Sequence, residues 1–226
     1  MILRKISFKN IKAQFCDDRN KLERILRVGF EVGGNILNQA WILAWDIQRE
    51  INLIYEREFK NTFVIGLQLR FGDRSFGVIK DGFFLNETQD IQKFINCAQQ
   101  IESSQSNINH FKWFIASDSQ IELNKILKKY PNRAFALDNN FGRLEHSNSN
   151  RRSLIEVELL SKCNELILTG GSTFGWVAAM KMLKMPFYVN GYEGGETMKT
   201  CVRAKLSEPP KRPCNYGKMC EGHAVF

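Results

Sequence analysis

The sequence predicts an α/β fold, a Rossmann-like parallel sheet with flanking helices that follows an N-terminal helical segment. Over residues 61–190, short apolar runs of strand length alternate with amphipathic segments of helix length. This alternation is typical of right-handed βαβ units. Residues 1–60 carry apolar residues at helical spacing, and residues 191–226 are irregular and rich in Gly, Pro and Cys. We therefore expect three regions, with the tail packed on the central one.

In the N-terminal region, the spacing of apolar residues predicts a helix that begins after a break at Gly33-Gly34. Beyond the break, apolar residues recur at steps of three and four. They are Ile36, Leu37, Ala40, Trp41, Leu43, Ala44, Ile47 and Ile51.

In the central region, short apolar runs predict five strands, at residues 63–69, 113–116, 134–137, 165–168 and 187–189. Helices are expected at 153–163 and 174–183, and another is expected to begin at a cap, either Asn86 or Thr88, and to run to about Ser103. A further helix follows Asp118, which we predict to be its N-terminal cap.

The chain is basic, with a formal net charge of +8 and a pI near 9.2. Such an excess favours polyanions, or it is an ordinary solvated surface. No stretch interleaves basic and aromatic residues, so we predict no nucleic-acid partner. No apolar run approaches the roughly 18 to 20 residues of a membrane span, and the first ten residues are too charged for a signal peptide. We expect no membrane contact from this chain itself.

Five of the six cysteines fall into two kinds, and the sixth is Cys16. Cys97 and Cys163 lie in apolar segments and are expected to be small core residues. Cys201, Cys214 and Cys220 lie in the irregular tail, where disulfides would serve as staples in an oxidising compartment. A zinc site with His223 is the alternative.

Two predicted strand ends carry residues suited to an anionic ligand, because ligands bind beyond the carboxyl ends of parallel strands. The first strand leads into Arg70, whose planar guanidinium can bind two phosphate oxygens. The alternative is a surface arginine paired with Asp73.

The fourth strand leads into Gly170-Gly171-Ser172-Thr173 and a helix that begins near Phe174. Glycines allow close approach of a ligand, and the helix directs free N–H groups and its positive dipole end there. The turn is neither a Walker A loop nor a G-x-G-x-x-G fingerprint. A tight turn with an ordinary N-cap is the alternative.

Glu156 and Glu158 lie on a predicted helix that is apolar nearly all round, so their carboxylates need partners. One alternative is pairing with Arg151, Arg152 or Lys162. The other is that Glu156 accepts hydrogen bonds from a ribose or a base. No nucleophile–base arrangement and no D-x-D pair is recognisable, and we predict no bound metal.

Together these pieces resemble the donor-binding half of the GDP-fucose-dependent fucosyltransferases, most closely the plant-type xyloglucan α-1,2-fucosyltransferases. Four motifs carry the resemblance, in the same order. They are a GIQ-x-R strand end at 66–70, an A-E-x-x-LLS helix at 155–161, an STFGYVA turn at 172–178 and a C-x-RA-x(2)-SEP tail at 201–209. In the H-x-R-R-x-D pattern of the wider superfamily, Arg70 matches the first arginine and Asp73 the aspartate. Gln68 replaces the histidine and Phe71 the second arginine.

The resemblance implies that Arg70 contacts the β-phosphate of GDP-fucose, that the Ser-Thr-Phe turn holds the diphosphate, and that Glu156 lies near the guanosine. The residues so implied in donor binding are Arg70, Asp73, Glu156, Ser172, Thr173 and Phe174. Arg70 is the implied catalytic residue, because the departing GDP gains negative charge that a fixed guanidinium and a helix N-terminus stabilise in place of a cation.

The resemblance further implies the C-terminal domain of a GT-B fold and inverting transfer of fucose to a glycan. No cofactor is implied beyond GDP-fucose as donor substrate, and the implied setting is the Golgi lumen or membrane. Members of the group have a separate acceptor-binding domain behind a membrane anchor, whereas only residues 1–62 precede the Arg70 strand here. We therefore expect a partial member, with residues 1–60 a remnant of or connector to that domain and residues 61–190 the nucleotide-sugar-binding domain.

Three function classes follow. The first is a fucosyltransferase or part of one, and the second is a GDP-sugar-binding module without transfer activity. The third is a basic nucleic-acid-binding protein, whose affinity would depend on salt but not on Arg70.

Overall fold

The structure is a computed structural model that describes residues 19–71, 89–137, 146–170, 172–189, 192–193, 196–197 and 201–204. The helices are α1 (Arg19–Ala40), α2 (Trp45–Ile54) with a π-helical turn (Tyr55–Phe59), α3 (Gln89–Ser103), α4 (Gln120–Lys129), α5 (His146–Ser161) and α6 (Thr173–Met182). The strands are β1 (Phe63–Leu69), β2 (Phe111–Ser117), β3 (Ala134–Phe135), β4 (Glu165–Thr169), β5 (Phe187–Val189), β6 (Tyr192–Glu193), β7 (Glu196–Thr197) and β8 (Val202–Arg203).

Six strands form one sheet in the order β3-β2-β1-β4-β5-β8. The first five pair in parallel, and β8 pairs antiparallel with β5. Strands β6 and β7 pair with each other in a separate antiparallel ladder. The predicted α/β class is therefore confirmed. The sequence did not indicate that the irregular tail returns to the sheet as the antiparallel strand β8.

Most predicted elements lie where the apolar pattern placed them, and β1 and β5 have the predicted bounds. Strand β3 is shorter than predicted, with two residues. The predicted cap Asp118 is wrong. Ser119 caps α4, and its hydroxyl accepts the backbone N–H of Glu122 at 3.4 Å. Asn86 and Thr88, the expected caps of α3, lie outside the described residues.

The predicted break at Gly33-Gly34 is also wrong, because α1 runs through both glycines without interruption. Their role is packing, since a Cβ built on Gly34 would lie 2.1 Å from the backbone oxygen of Met180 on α6. The helix instead ends at Ala40, and α2 begins at Trp45.

Two apolar cores cover the two faces of the sheet. One lies between the sheet and α5 and α6 and also takes in Phe30 of α1 and Ile47 and Ile51 of α2. The other lies beneath α3 and α4 and is centred on Phe94 and Trp113. The described N-terminal helices thus share the first core, while the division of the chain into three regions stays a prediction. Within the described ranges, no helix is both long and apolar enough to cross a membrane.

A disulfide joins Cys97 of α3 to Cys201, the residue before β8. Cys97 is a buried core residue, as expected, but the sequence did not indicate that it is also disulfide-bonded. Cys163 is free and buried, as predicted, and burial raises the pKa of its thiol. Cys214, Cys220 and His223 lie outside the described residues.

Candidate functional site

Strands β1 and β4 lie side by side and end at the same edge of the sheet. A hydrogen-bonded chain joins their ends. The backbone N–H of Arg70 donates to Oγ1 of Thr169 at 2.9 Å, and that hydroxyl donates to the backbone oxygen of Gln68 at 2.9 Å. Neighbouring strands are about 4.8 Å apart. The Arg70 backbone therefore lies beside the turn that leads from β4 into α6.

The guanidinium of Arg70 meets a carboxylate from the strand on its other side. Its Nη1 lies 3.1 Å from Oδ2 of Asp118, and Oδ1 of Asp118 accepts the backbone N–H of Phe71 at 2.8 Å. The Arg70 side chain is 39% exposed and that of Asp118 16%. Asp118 thus orients an arginine that is still open to solvent. Asp73, the partner considered from the sequence, lies outside the described residues.

The mouth of α6 opens at the same edge. Ser172 stands at the N-cap position, but its side chain makes no capping hydrogen bond to the described residues of the helix. Its backbone N–H donates to the oxygen of Thr169 at 3.2 Å, and its own oxygen accepts from Trp176. Ser172 therefore does not form the ordinary side-chain cap considered as an alternative. Free N–H groups at a helix start favour an anion.

The two hydroxyl-bearing residues and Phe174 are all at least partly accessible at this turn. Thr173 is exposed, and Ser172 and Phe174 are intermediate in exposure. Gly171 lies outside the described residues.

A glycine lets α6 approach the sheet closely beneath this turn. A Cβ built on Gly175 would lie 2.6 Å from Cδ2 of Leu168 and 3.1 Å from Oε1 of Gln68. Gln68 is 4% exposed, and its Oε1 has no hydrogen-bond partner among the described residues. The amide that replaces the histidine of the wider superfamily is thus buried directly under the start of α6.

Glu156 on α5 is buried and pairs with Arg152, one turn earlier, at 2.8 Å. Burial raises the pKa of the Glu156 carboxyl. The Arg152 guanidinium offsets part of this shift, and the charge of Asp118 adds to it. One of the arginine partners considered from the sequence is therefore present. The Asp118 effect also places Glu156 within electrostatic reach of the Arg70 edge.

Glu158 has a partner that the sequence did not suggest. Its carboxylate lies 2.8 Å from Nζ of Lys181 in the last turn of α6, and both side chains are buried. This pair joins α5 to α6 and has a structural role. Arg151, another candidate partner, instead pairs with Asp46 and Glu50 of α2.

Asp118 and Thr169 are the described members of the edge that the sequence did not identify, whereas Gln68 is part of the first motif. A signal for Asp118 was present, because it directly follows β2 and the carboxyl ends of parallel strands converge. It was interpreted as a helix cap. Within the described ranges, no three His, Cys, Asp or Glu side chains come together as a metal-binding group.

The sequence profile of the nodulation protein Z (NodZ) family matches residues 31–184, more than half of the 226-residue chain. The chain belongs to the NodZ family. No curated protein sequence matches it significantly. The kinship with fucosyltransferases that the four motifs indicate is thereby confirmed at the level of the family.

Solved structures add a likeness of fold. A mutant of Arabidopsis thaliana FUT1 in complex with GDP superposes with a TM-score of 0.51 at 19% identity, over 74% of this chain and 38% of that one. Fucosyltransferase NodZ from Bradyrhizobium gives a TM-score of 0.46 at 19% identity, over 61% and 41%. NodZ α-1,6-fucosyltransferase soaked with GDP-fucose gives a TM-score of 0.45 at 19% identity, over 65% of this chain and 44% of that one. This NodZ-family chain therefore spans less than half the length of these structures.

Proposed function

We propose that this chain is the donor-binding part of a GDP-fucose-dependent fucosyltransferase. The observation that carries the proposal is the pairing of the β1 and β4 ends through Arg70 and Thr169, with the start of α6 opening at the same edge. The Arg70 backbone and the start of α6 thus lie at one edge of the sheet, and the proposal is that a nucleotide diphosphate binds at this edge. That NodZ structures have been solved with GDP-fucose and with GDP supports the choice of nucleotide.

The chemistry follows from charge. When the bond between the sugar and the β-phosphate breaks, GDP gains negative charge. Donors already fixed at that place stabilise the transition state without reorganisation. Arg70 has five N–H donors in one plane, so it can bind phosphate oxygens while Asp118 holds its orientation. Ser172, Thr173 and Phe174 present the first turn of α6 to the diphosphate.

The finer assignments are also part of the proposal. Glu156 and Asp73 complete the donor site, with Glu156 near the guanosine. Transfer proceeds with inversion, needs no metal and uses a glycan acceptor of the xyloglucan type, which rests on the four motifs. A Golgi lumen is the proposed setting. The disulfide between Cys97 and Cys201 agrees with an oxidising compartment.

The nucleotide assignment is tested by calorimetric titration of the chain with GDP, GDP-fucose and UDP. We expect GDP and GDP-fucose to bind more tightly than UDP. Equal affinities for GDP and UDP would remove the guanosine assignment.

A GDP-sugar-binding module without transfer activity is the second candidate. Release of GDP from GDP-fucose, followed with and without a xyloglucan oligosaccharide, separates the two. Turnover that disappears in Arg70→Ala supports the enzyme. Donor binding without turnover in the wild type supports the module.

A further inference from the structure

A groove of about 540 Å³ lies at the edge of the sheet opposite the donor edge. Its walls come from three connections that lead into strands, namely residues 61–63 before and at the start of β1, 107–110 before β2, and 162 and 164 before β4. A strand rises about 3.3 Å per residue. The seven-residue β1 therefore places this groove roughly 20 Å from Arg70.

The walls are held to one another by hydrogen bonds. The backbone N–H of Phe63 donates to the oxygen of His110 at 3.0 Å. Asn164 exchanges two bonds with Val64. Its backbone N–H donates to the Val64 oxygen at 2.8 Å, and its Oδ1 accepts the Val64 N–H at 2.8 Å. The groove is thus formed before any ligand arrives, and its size falls in the ordinary range of ligand pockets.

Its described lining combines amides with an aromatic ring. Asn61, Asn107 and Asn109 are exposed there, and each amide can both donate and accept hydrogen bonds. The Tyr55 ring is 39% exposed, and one of its faces stacks on Phe59 with the ring centroids 5.6 Å apart. Sugar hydroxyls also both donate and accept, and the C–H face of a pyranose packs on an aromatic ring.

Opposing charges meet at this edge of the sheet. The π-helical turn and α5 end at its margin, at Phe59 and Ser161, and α3 ends at Ser103, shortly before the 107–110 wall. Helix C-termini carry a partial negative charge. Lys162 and His110 also line the groove, and Nζ of Lys162 lies over the Tyr55 ring, 5.8 Å from its centroid, so basic groups offset this partial negative charge. A neutral ligand rich in hydroxyl donors fits this setting better than an anion.

We propose that this groove is a second, non-catalytic binding site for a neutral oligosaccharide. A glycan held there stays at high local concentration near the donor edge of the same molecule. That role rests on the proposed function, whereas the binding itself does not.

The test follows the backbone amide signals of the ¹⁵N-labelled chain by NMR during titration with cellotetraose. We expect shifts concentrated at residues 55–63, 107–110 and 162–164. Tyr55→Ala and Asn109→Ala should each weaken binding, Tyr55→Ala by roughly tenfold, equivalent to about 1.4 kcal/mol. Asn124→Ala, on the exposed face of α4, is the matched control and should bind as the wild type does. Circular dichroism checks that each variant is folded.

Absence of shifts at millimolar cellotetraose would overturn the proposal. It would also be overturned if Tyr55→Ala and Asn109→Ala both bound cellotetraose as tightly as the wild type does. Inorganic phosphate is the second probe, and shifts of the same residues by phosphate alone would identify an anion site instead. Arg70→Ala separates this inference from the proposed function. Cellotetraose should bind that variant unchanged, whether or not GDP binds.

Discussion

At the scale of single residues, Asp118 links the parts of the proposed donor site, at the edge where β1 and β4 end. It holds the Arg70 guanidinium at 3.1 Å and the Phe71 backbone at 2.8 Å, and its charge contributes to the raised pKa of Glu156. The arginine assigned to the phosphate and the carboxylate assigned to the nucleoside thus share one electrostatic neighbour. A change in the protonation of Glu156 should therefore be detectable in donor binding.

The first prediction concerns pH. Burial raises the pKa of Glu156 above its ordinary 4.5, so this carboxylate takes up a proton at higher pH than an exposed one. If Glu156 accepts a hydrogen bond from the nucleoside, GDP affinity falls as pH decreases through that raised pKa. Titrations carried from neutral pH into the acid range should show this loss in the wild type and not in Glu156→Gln. The phosphate of GDP titrates in both proteins, so the difference between them reports Glu156.

Superimposable pH profiles would remove Glu156 from the donor site. The same pKa shift has a separate effect on stability. A raised pKa in the folded state means that the contribution of Glu156 to the free energy of unfolding is fully present below pH 4.5. It is lost as pH rises through the raised value.

The sequence located Arg70, Ser172 and Thr173 at strand ends because strand length and the glycine turn are local patterns. It assigned Asp118 to a helix cap because the local pattern of an acidic residue before a helix fits that role equally well. Only the pairing of β2 beside β1 brings Asp118 to Arg70. That pairing is not visible in either segment alone.

At the scale of the elements, the contact between α1 and α6 depends on the absence of a side chain at Gly34. The backbone oxygen of Met180 lies 2.1 Å from the place a Cβ would occupy, and a backbone atom cannot move aside cheaply. In addition, Nδ2 of Asn38 donates to the backbone oxygen of Lys181 at 2.9 Å, one turn further along α1. These contacts tie the N-terminal helix to the helix that opens the donor site.

The second prediction is that Gly34→Ala destabilises the protein. Forced overpacking of this kind costs about 1–3 kcal/mol. Gly29→Ala in the same helix is the matched control, because a Cβ there would meet none of the described atoms. Alanine at that position should stabilise the helix by about 0.5–1 kcal/mol. Urea unfolding of the wild type, Gly34→Ala and Gly29→Ala measures both changes in the free energy of unfolding. A Gly34→Ala variant as stable as Gly29→Ala would contradict the packing role.

Gly33 and Gly34 show where the prediction of helices and strands from the sequence fails. Apolar runs predicted β1 and β5 with their observed bounds, because a buried parallel strand is a continuous apolar segment. Adjacent glycines in a helical pattern indicate a break when the helix is considered alone. Packing against Met180 reverses that preference, and packing depends on residues far along the chain.

At the scale of the whole molecule, the disulfide between Cys97 and Cys201 closes a loop with a sequence separation of 104. That loop contains β2, α5, β4 and the glycine turn. The cross-link therefore joins α3 to the residue that precedes β8.

The third prediction concerns this cross-link. Removing a native disulfide of this kind typically costs about 2–5 kcal/mol. The Cys97→Ser, Cys201→Ser double variant should unfold at lower denaturant concentration than the wild type. A reducing agent should lower the stability of the wild type toward that of the double variant and leave the double variant unchanged. Equal stability of the oxidised wild type and the double variant would show that the tail does not depend on the bond.

The account depends most on a diphosphate bound jointly by Arg70 and the start of α6, and calorimetric titration of GDP into Arg70→Ala tests this most directly. A hydrogen bond to a charged group contributes about 1.5–3 kcal/mol, so we predict a loss of affinity of roughly ten- to a hundredfold. Arg27→Ala is the control, because its side chain is 73% exposed on α1 and should leave GDP affinity unchanged. An Arg70→Ala variant that binds GDP as tightly as the wild type would contradict the proposed site.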